Sequence, residues 1–384
     1  MCGPAIIASV DSFLRSARAK QKETISCIQA LVECESPSGY APGVGRFAKV
    51  FGGMLGDIAR VRTYSGKHLR CEFQLPGSRK EGQILALGHS DTVWPLGTIQ
   101  TMPFRQARGR LWGPGVLDMK AGLVFFTFAM RILRELDVPV RRKVILQVNS
   151  DEEIGSPSSR VLTEETARDS VAVLVLEPGT GLDGKLKTAR KGVGDYRITV
   201  RGRAAHAGLD FEKGANAVVE MARQIERIAG FTRLRQGITV SPGVVQGGTR
   251  SNVVPAECHL EVDVRAPSAG AQHYLERQFG SLKPFDKRCG IEVAGGLNRP
   301  PMERSAGVRR LFHTARALGT ELGLTLEESS SGGGSDGNFT AALGIPTLDG
   351  LGAVGEGAHA PHESVLINRI ADRTALLAKL VAAL

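Results

Sequence analysis

Short, continuous apolar runs in the first half of the chain predict strands that are buried on both faces. Residues 84–87, 144–148 and 171–176 each have the length of a strand and are rich in branched side chains. Residues 121–136, between the first two runs, are apolar on nearly every side, as in a helix packed against a sheet. Further helices are predicted over 11–33, 40–58 and 308–323. The alternation predicts an α/β architecture with a central mixed sheet flanked by helices.

A different pattern starts near Lys191, where apolar and polar residues alternate with a period of two. Residues 196–201 and 258–265 show this alternation, which is typical of half-exposed antiparallel strands. Together with helical stretches, they predict the order strand–helix–strand–strand–helix–strand of a small α+β module, similar to a ferredoxin. We expect the module to occupy 191–301, inserted into a larger domain formed by 1–190 and 302–384.

The composition narrows the class of protein. The chain has 384 residues, and 42% of them are hydrophobic, which excludes a mainly disordered chain. It carries 49 Lys and Arg against 39 Asp and Glu, a net charge of +10, but the basic residues are scattered and only 5% of residues are aromatic. We therefore expect no nucleic-acid partner, and the basic excess indicates either a solvated surface or attraction of a small anionic ligand.

The cysteines and the apolar runs indicate in which cellular compartment the protein is expected. The six cysteines contain no C-x-x-C pair, so we expect free thiols in a reducing compartment. The first 20 residues lack the pattern of a secretory signal, and no run reaches the roughly 18 apolar residues of a membrane span. These features predict a cytoplasmic protein without a membrane partner.

The three buried strands share one feature: each is followed by acidic or imidazole side chains. His89 and Asp91 follow the first strand, Glu152 and Glu153 follow the second, and Glu177 follows the third. Ligands of open α/β sheets bind outside the carboxyl ends of the strands, so we expect these residues to converge in one crevice.

Two more candidates lie elsewhere in the chain: Asp118 precedes the buried helix, and His359 lies near the end. Any one of these residues alone is more often a helix cap or a solvated loop residue. Clustered carboxylates, however, repel one another unless a counter-charge is present, and a bound cation supplies it. Mixed histidine and carboxylate ligands suit Zn²⁺ or a similar first-row ion. The number of ligands favours two metals about 3.5–4 Å apart with Asp118 between them.

Five motifs occur in an order that resembles one family. They are G-H-S-D-T-V (88–93), G-x-G-x-x-D-M-K-x-G (113–122), D-E-E-I-G-S (151–156), L-E-P-G (176–179) and H-x-x-x-E (359–363). This set resembles the M20 family of dinuclear zinc peptidases and deacylases, and most of all its glutamate carboxypeptidase branch. The resemblance covers essentially the whole chain, including the inserted module.

The resemblance implies a catalytic domain that binds two Zn²⁺ ions per subunit, with Co²⁺ or Mn²⁺ as alternatives. His89 and Glu177 would bind one ion, Glu153 and His359 the other, and Asp118 would bridge them.

Three further residues resemble the catalytic groups of the family. Asp91 corresponds to the carboxylate that orients a histidine ligand. Glu152 corresponds to the general base that takes a proton from water and passes it to the leaving nitrogen. His206 corresponds to a histidine that reaches the active site of the partner subunit and stabilises the oxyanion. The resemblance therefore implies a homodimer in which the inserted module is a lid and dimerisation domain.

The implied substrate is a small N-acyl or N-peptidyl amino acid with a free carboxylate, from which an amino acid such as glutamate is released. Basic side chains suit such a substrate because arginine binds a carboxylate with two hydrogen bonds. The alternative is another M20 specificity: an N-acetylornithine or succinyl-diaminopimelate type of deacylase, an aminoacylase or a dipeptidase. The residues at family positions that contact or line the substrate are Lys185, Asn252, Arg265, Arg299 and Gly334.

Two hypotheses from other protein classes are alternatives to a hydrolase: a dinucleotide-binding protein and a binding protein without catalytic activity. Gly113 and Gly115 precede a helix as in a dinucleotide-binding loop, but the third glycine is lacking and Asp118 would repel a pyrophosphate. A binding protein on the same fold without catalytic activity is the other, although no implied metal ligand is missing.

Overall fold

A computed structural model describes residues 11–65 and 67–384 of the chain. The described residues divide into two compact units. The first unit contains the residues up to Thr188, Arg304–Ser330 and Ser335–Leu384, and the second contains Ala189–Glu303 and Ser331–Gly334.

Strands and helices alternate along most of the chain. The strands are β1 Ala59–Tyr64, β2 His68–Phe73, β3 Gln83–His89, β4 Arg105–Ala107, β5 Arg110–Trp112, β6 Lys143–Asn149, β7 Ser170–Val175, β8 Leu186–Arg190, β9 Gly192–Arg201, β10 Thr239–Gly247, β11 Glu257–Ala266, β12 Gly290–Arg299, β13 Glu328–Ser331, β14 Thr347–Leu348, β15 Gly355–Glu356 and β16 Ser364–Leu366. The α-helices are α1 Ser12–Ala19, α2 Gln21–Glu33, α3 Ala41–Leu55, α4 Thr98–Thr101, α5 Ala121–Glu135, α6 Arg160–Arg168, α7 Ala217–Ala229, α8 Ala269–Gly280, α9 Ala306–Glu321, α10 Gly337–Ala342 and α11 Ile370–Ala383.

The first unit is built on a six-stranded sheet with the order β1-β2-β6-β3-β7-β14. Strand β3 runs parallel to β6 and β7, and β7 runs parallel to β14, whereas β1-β2 and β2-β6 are antiparallel pairs. All seven residues of β3 are buried, and the apolar run 84–87 forms its middle. The predicted mixed sheet flanked by helices is confirmed.

Helix α5 forms the centre of the apolar core of the first unit. Its residues from Ala121 to Met130 are all buried, together with Ile132 and Leu133, and it packs against α1, α2 and α11. A helix with so little polar surface is stable only when other elements cover it on all sides.

The predicted helix over 11–33 is two helices, α1 and α2, which meet at Lys20. Asp11 caps α1 by accepting hydrogen bonds from the backbone N–H groups of Phe13 and Leu14. Lys20 donates its backbone N–H to Ser16 and has φ −90° and ψ 1°, so the helical backbone is interrupted there. The amphipathic pattern continues through the interruption, which is why the sequence alone predicts one helix.

The second unit has the order β9-α7-β10-β11-α8-β12, so the predicted succession of strands and helices is confirmed. Its four strands form an antiparallel sheet with the order β10-β11-β9-β12. The helices begin at polar caps: Asn216 accepts from the N–H groups of Val218 and Val219, and Ser268 accepts from Ala271.

No helix among residues 11–65 and 67–384 is long and apolar enough to cross a membrane. The cysteines at 27, 34, 71, 258 and 289 are free thiols, and Cys2 lies outside the described residues. The cytoplasmic location stays a prediction.

Candidate active site

Three parallel strands bring the predicted acidic residues to one edge of the sheet. Strand β3 ends at His89, opposite Asn149 at the end of β6, and β7 ends just before Glu177. Ligand atoms of His89, Glu152 and Glu177 all lie within 4.8 Å of one another. The convergence expected from parallel strand ends is therefore present in the fold.

The ring of His89 is oriented by the backbone at Asp91. The Nδ1 atom lies 2.9 Å from the carbonyl oxygen of Asp91. Because a carbonyl only accepts, Nδ1 carries a proton, and Nε2 is the nitrogen that faces the carboxylates. Nε2 faces Asp118 Oδ1 at 3.1 Å and Glu177 Oε1 at 3.4 Å.

The second oxygen of Asp118 faces the other predicted histidine. Asp118 Oδ2 lies 3.4 Å from His359 Nε2, and the same nitrogen lies 3.3 Å from Glu153 Oε1. Asp118 belongs to a turn of irregular backbone, Val116–Lys120, at the start of α5. One carboxylate thus spans two imidazoles, and a further carboxylate flanks each of them.

The electrostatics of this cluster favour added positive charge. Burial disfavours the charged form of His89, but the carboxylates of Asp118, Asp91 and Glu177 raise the pKa of His89 well above its ordinary value. The carboxylates of Asp118 and Glu153, 3.4 and 3.3 Å from Nε2 of His359, raise the pKa of His359 to about 10. Burial opposes ionisation of Asp118, yet the two imidazoles hold the pKa of its carboxyl well below its usual range. A divalent cation supplies the same compensation more strongly than two protons do.

The buried carboxylate of Glu153 indicates whether the cluster is suited to a metal ion. Burial raises the pKa of Glu153, and its Oε1 atom accepts no hydrogen bond from the described part of the chain. A buried carboxylate oxygen without a donor is unfavourable unless a cation binds there. Imidazole nitrogen and carboxylate oxygen are also the donors that a first-row divalent ion prefers. The residues present fit such an ion.

The carboxylate of Asp91 contacts the turn that carries the two glutamates. It accepts hydrogen bonds from the backbone N–H groups of Glu152 and Glu153, both at 3.2 Å, and from the hydroxyl of Ser38 at 2.8 Å. Its Oδ1 atom is 3.6 Å from His89 Nδ1, farther than the backbone carbonyl. The side chain of Asp91 therefore positions the Glu152–Glu153 turn, while its main chain orients the histidine.

Two buried carboxylates near the Glu152–Glu153 turn are not predicted from the sequence. Asp151 accepts from the hydroxyls of Ser158 and Ser159 at 2.7 and 2.5 Å. Asp336 accepts from Asn149 Nδ2 and Ser156 Oγ, both at 2.5 Å. Asp151 adjoins the D-E-E motif, but nothing in the sequence indicates that Asp336 bonds to residues so distant along the chain.

Of the predicted substrate residues, Lys185 lies in the first unit. Its ammonium forms an ion pair with Glu327 at 2.5 Å, and 36% of the side chain is exposed. A substrate carboxylate at this position would compete with Glu327.

The other predicted substrate residues lie in the second unit. Arg265 binds both carboxylate oxygens of Asp263, at 2.9 and 2.7 Å. Arg299 is buried, and a Cβ atom on Gly334 would lie 2.6 Å from its Cδ. Arg190, which the sequence does not single out, donates to the carbonyl oxygens of residues 333 and 334 at 3.1 and 3.0 Å.

His206 is exposed and pairs through its backbone with Val253, the residue after Asn252. The carbonyl oxygen of Asn252 accepts the N–H of Ala207 at 3.0 Å. His206 Nδ1 accepts from the N–H groups of Gly208 and Leu209, both at 3.1 Å. Its Nε2 therefore carries the proton and is available as a donor.

The fold and the donor set together define the class: an α/β enzyme with a cluster suited to divalent metal ions. The chain belongs to peptidase family M20/M25/M40, which matches residues 85–383. It is accordingly a metal-dependent peptidase or amidohydrolase.

Two relatives of the chain have names that state different activities. The chain is 28% identical to carboxypeptidase G2 from Pseudomonas sp. (strain RS-16) over 395 residues, covering 99% of this chain and 94% of the relative. It is 30% identical to a succinyl-diaminopimelate desuccinylase from Cereibacter sphaeroides (strain ATCC 17025), covering 77% and 81%. Among solved structures, aminopeptidase PepT from Bacillus cereus has the same fold, with a TM-score of 0.77, 22% identity and coverage of 94% and 98%.

Proposed function

We propose that this protein hydrolyses the amide bond of N-acyl or N-peptidyl amino acids and releases a C-terminal amino acid such as glutamate. The observation that carries the proposal is the carboxylate of Asp118. Its two oxygens face two different imidazoles, at 3.1 Å for His89 and 3.4 Å for His359. A carboxylate in this position can hold two cations at once.

In this proposal His89 and Glu177 would hold one ion, Glu153 and His359 would hold the other, and Asp118 would be shared by both. The donor set suits Zn²⁺, with Co²⁺ and Mn²⁺ as alternatives. When bound, two such ions lower the pKa of water toward neutrality and polarise the scissile carbonyl.

Glu152 is the general base of the proposed reaction. Its carboxylate lies within 4.8 Å of the ligand atoms of His89 and Glu177, and its backbone is held by Asp91 at 3.2 Å. It takes a proton from the attacking water and delivers that proton to the leaving nitrogen. The contact with Asp91 fixes the backbone from which this carboxylate projects.

His206 is the proposed donor to the oxyanion, acting on the active site of the partner subunit of a homodimer. Two backbone N–H groups fix its tautomer, so that Nε2–H is the outward donor. An exposed donor that is already oriented needs little reorganisation when negative charge develops on the substrate oxygen. The inserted module, 191–301, would then serve as the lid and dimerisation domain.

Asn252, Arg299 and Gly334 are proposed to surround the substrate carboxylate, with Lys185 and Arg265 as further basic contacts. Arg299 lies against Gly334, which supports a shared binding site. A guanidinium that binds a carboxylate with two hydrogen bonds provides both affinity and orientation.

A second candidate is a deacylase that acts on a succinylated diamino acid. It is favoured by the 30% identity to a succinyl-diaminopimelate desuccinylase. The two candidates share the metal cluster and the general base, and they differ in the amino acid and in the acyl group.

A substrate screen separates the candidates. Metal-loaded protein is incubated with N-acyl and N-peptidyl amino acids grouped by the amino acid released, and the released amine is measured. Preference for C-terminal glutamate supports the proposal, and preference for succinyl-diaminopimelate supports the alternative. Absence of hydrolysis across the panel would overturn both.

Glu152→Gln tests the general base. The variant is expected to retain its metal ions and to lose about 10²–10⁴-fold in kcat. Glu165→Gln, an exposed glutamate on α6, is the matched control. Near-normal turnover of Glu152→Gln would refute the assignment.

Mixing two inactive variants tests the role of His206 across the dimer. His206→Asn should keep its metals and lose activity. Dimers formed from His206→Asn and Glu152→Gln chains should recover part of the activity, because one of the two sites then has both groups intact. Absence of recovery in verified mixed dimers would contradict supply from the partner subunit.

A further inference from the structure

Glu363 is a fully buried carboxylate that accepts four hydrogen bonds. Its Oε1 atom accepts from the backbone N–H groups of Leu117 and Asp118 at 2.8 and 3.1 Å. Its Oε2 atom accepts from the N–H of Gly115 at 2.9 Å and from the indole of Trp94 at 2.8 Å. All four acceptor positions of the carboxylate are thus used by N–H donors.

Three of these donors belong to the turn that presents Asp118 to the two imidazoles. Gly115 has φ +71°, and Asp118 has φ −116° and ψ 93°, so the turn does not follow helical geometry. Buried N–H groups in such a segment need acceptors from elsewhere in the fold. Glu363 supplies three of them from a single side chain.

Glu363 also closes the turn that carries His359. Its N–H donates to the carbonyl of Ala360 at 2.9 Å, and the N–H of Ala360 donates to Gly357 at 2.8 Å. The side chain of Glu363 therefore holds Asp118, while its main chain belongs to the turn of His359. Glu363 therefore contacts the backbone around both Asp118 and His359, whose side chains face each other at 3.4 Å.

We infer that Glu363 is a positioning residue that sets the place of Asp118 relative to His359 and so fixes the geometry of both metal sites. This inference rests on the proposed role of Asp118 and His359 as ligands. Carboxylates that hold ligands in place in this way typically contribute 10–100-fold to metal affinity.

The second unit offers a matched control for a merely structural role. Glu220 is also buried, and it accepts from the N–H groups of Phe285 and Asp286, both at 2.9 Å, and from Gln224 Nε2 at 2.7 Å. None of its partners carries a proposed metal ligand. Glu220→Gln and Glu363→Gln thus make the same chemical change to similar hydrogen-bond clusters.

The test is titration of metal-free protein with Co²⁺, followed by calorimetry and by visible absorption of the bound ion. In Glu363→Gln one oxygen becomes an NH₂ group that faces N–H donors, so Asp118 shifts. We expect at least one of the two sites to bind Co²⁺ 10–100-fold more weakly, with an altered spectrum. Glu220→Gln should lower Tm but leave the Co²⁺ affinity and spectrum within twofold of wild type.

Glu363→Asp keeps the charge and should recover part of the affinity. If Glu363→Gln does not fold, Glu363→Asp is measured in its place. We then expect Glu363→Asp to bind Co²⁺ more weakly than wild type. In turnover we expect kcat to fall in both variants while KM changes less than threefold.

Wild-type affinity and spectrum in the folded Glu363 variants would overturn the inference, as would equal losses in Glu220→Gln. A wild-type protein that binds fewer than two ions would overturn it as well. If wild type binds two ions and hydrolyses nothing in the substrate panel, the proposed function fails while the Co²⁺ titration still supports the inference.

Discussion

Metal binding at this site should release protons, because its two imidazoles are surrounded by carboxylates. The pKa of His359 is raised to about 10, first by Asp118 and then by Glu153, and the pKa of His89 is raised well above its ordinary value. Both rings are therefore protonated at pH 7, whereas a metal ligand must be neutral. Each displaced proton makes the apparent affinity rise tenfold per pH unit, or about 1.4 kcal/mol. Two displaced protons give a rise of about a hundredfold per unit.

Two further features of the imidazoles affect how binding and stability depend on pH. The side chain of His359 is 49% exposed, so solvent and salt reduce its share of the effect. For the metal-free fold the sign is opposite to that for metal binding. The stabilisation from raised imidazole pKa values is fully present below about pH 6.5, the pKa of unfolded histidine, and is lost as the pH rises through the folded values. Alkaline pH should therefore lower the Tm of metal-free protein while it strengthens metal binding.

The assay is calorimetric titration of metal-free protein with Co²⁺ at pH 7 in buffers that differ in ionisation enthalpy. The observed binding enthalpy is plotted against the ionisation enthalpy of the buffer. The slope of this plot gives the number of protons released for each protein molecule, which we expect to lie between one and two. His359→Asn should release about one proton fewer, and His313→Asn, an exposed histidine of α9, should match wild type. Release near zero, or the same number in His359→Asn as in wild type, would refute the reasoning.

Three further changes test the packing and charge around the site. Asp118→Asn should lower the Co²⁺ stoichiometry below two, measured by metal analysis after dialysis; retention of both ions would contradict a bridging role. Gly122→Ala would place a Cβ atom 2.2 Å from the carbonyl oxygen of Leu176, and we expect a loss of about 1–3 kcal/mol in the free energy of unfolding by urea, as for overpacked cores. Arg373→Met removes a fully buried guanidinium that donates to three loop carbonyls. At about 1–3 kcal/mol for each unpaired acceptor, the same urea measurement should show a large loss, and wild-type stability of either variant would contradict the packing described here.

The convergence of the acidic residues follows from sequence because it depends on local features. Unbroken apolar runs mark strands buried on both faces, and parallel strands place their carboxyl ends at one edge. His89, Glu152 and Glu177 follow such runs closely along the chain, so their proximity within 4.8 Å needs no knowledge of distant contacts. Asp118 and His359 lie outside this rule, and the family motifs are what assign each of them a ligand role.

The contacts that position these residues are much harder to predict. Asp91 binds the Glu152–Glu153 turn, and Asp336 reaches Asn149 from far along the chain. Whether a carboxylate accepts from a backbone N–H or faces a cation depends on the irregular turns around it. Turn geometry leaves little trace in hydrophobic periodicity, so these roles emerge only from the fold.

The basic side chains show a similar limit, because the sequence does not reveal which of them are already paired. Arg265 is engaged by Asp263 through both carboxylate oxygens, and its remaining Nη1 lies 3.5 Å from the carbonyl of Gly332. Binding a substrate carboxylate at Arg265 would require displacing Asp263, which the fold holds two residues away on the same strand. Arg299 is buried and has its aliphatic stem against Gly334. Arg265 is therefore better placed to support residues 332–334 than to bind a substrate carboxylate.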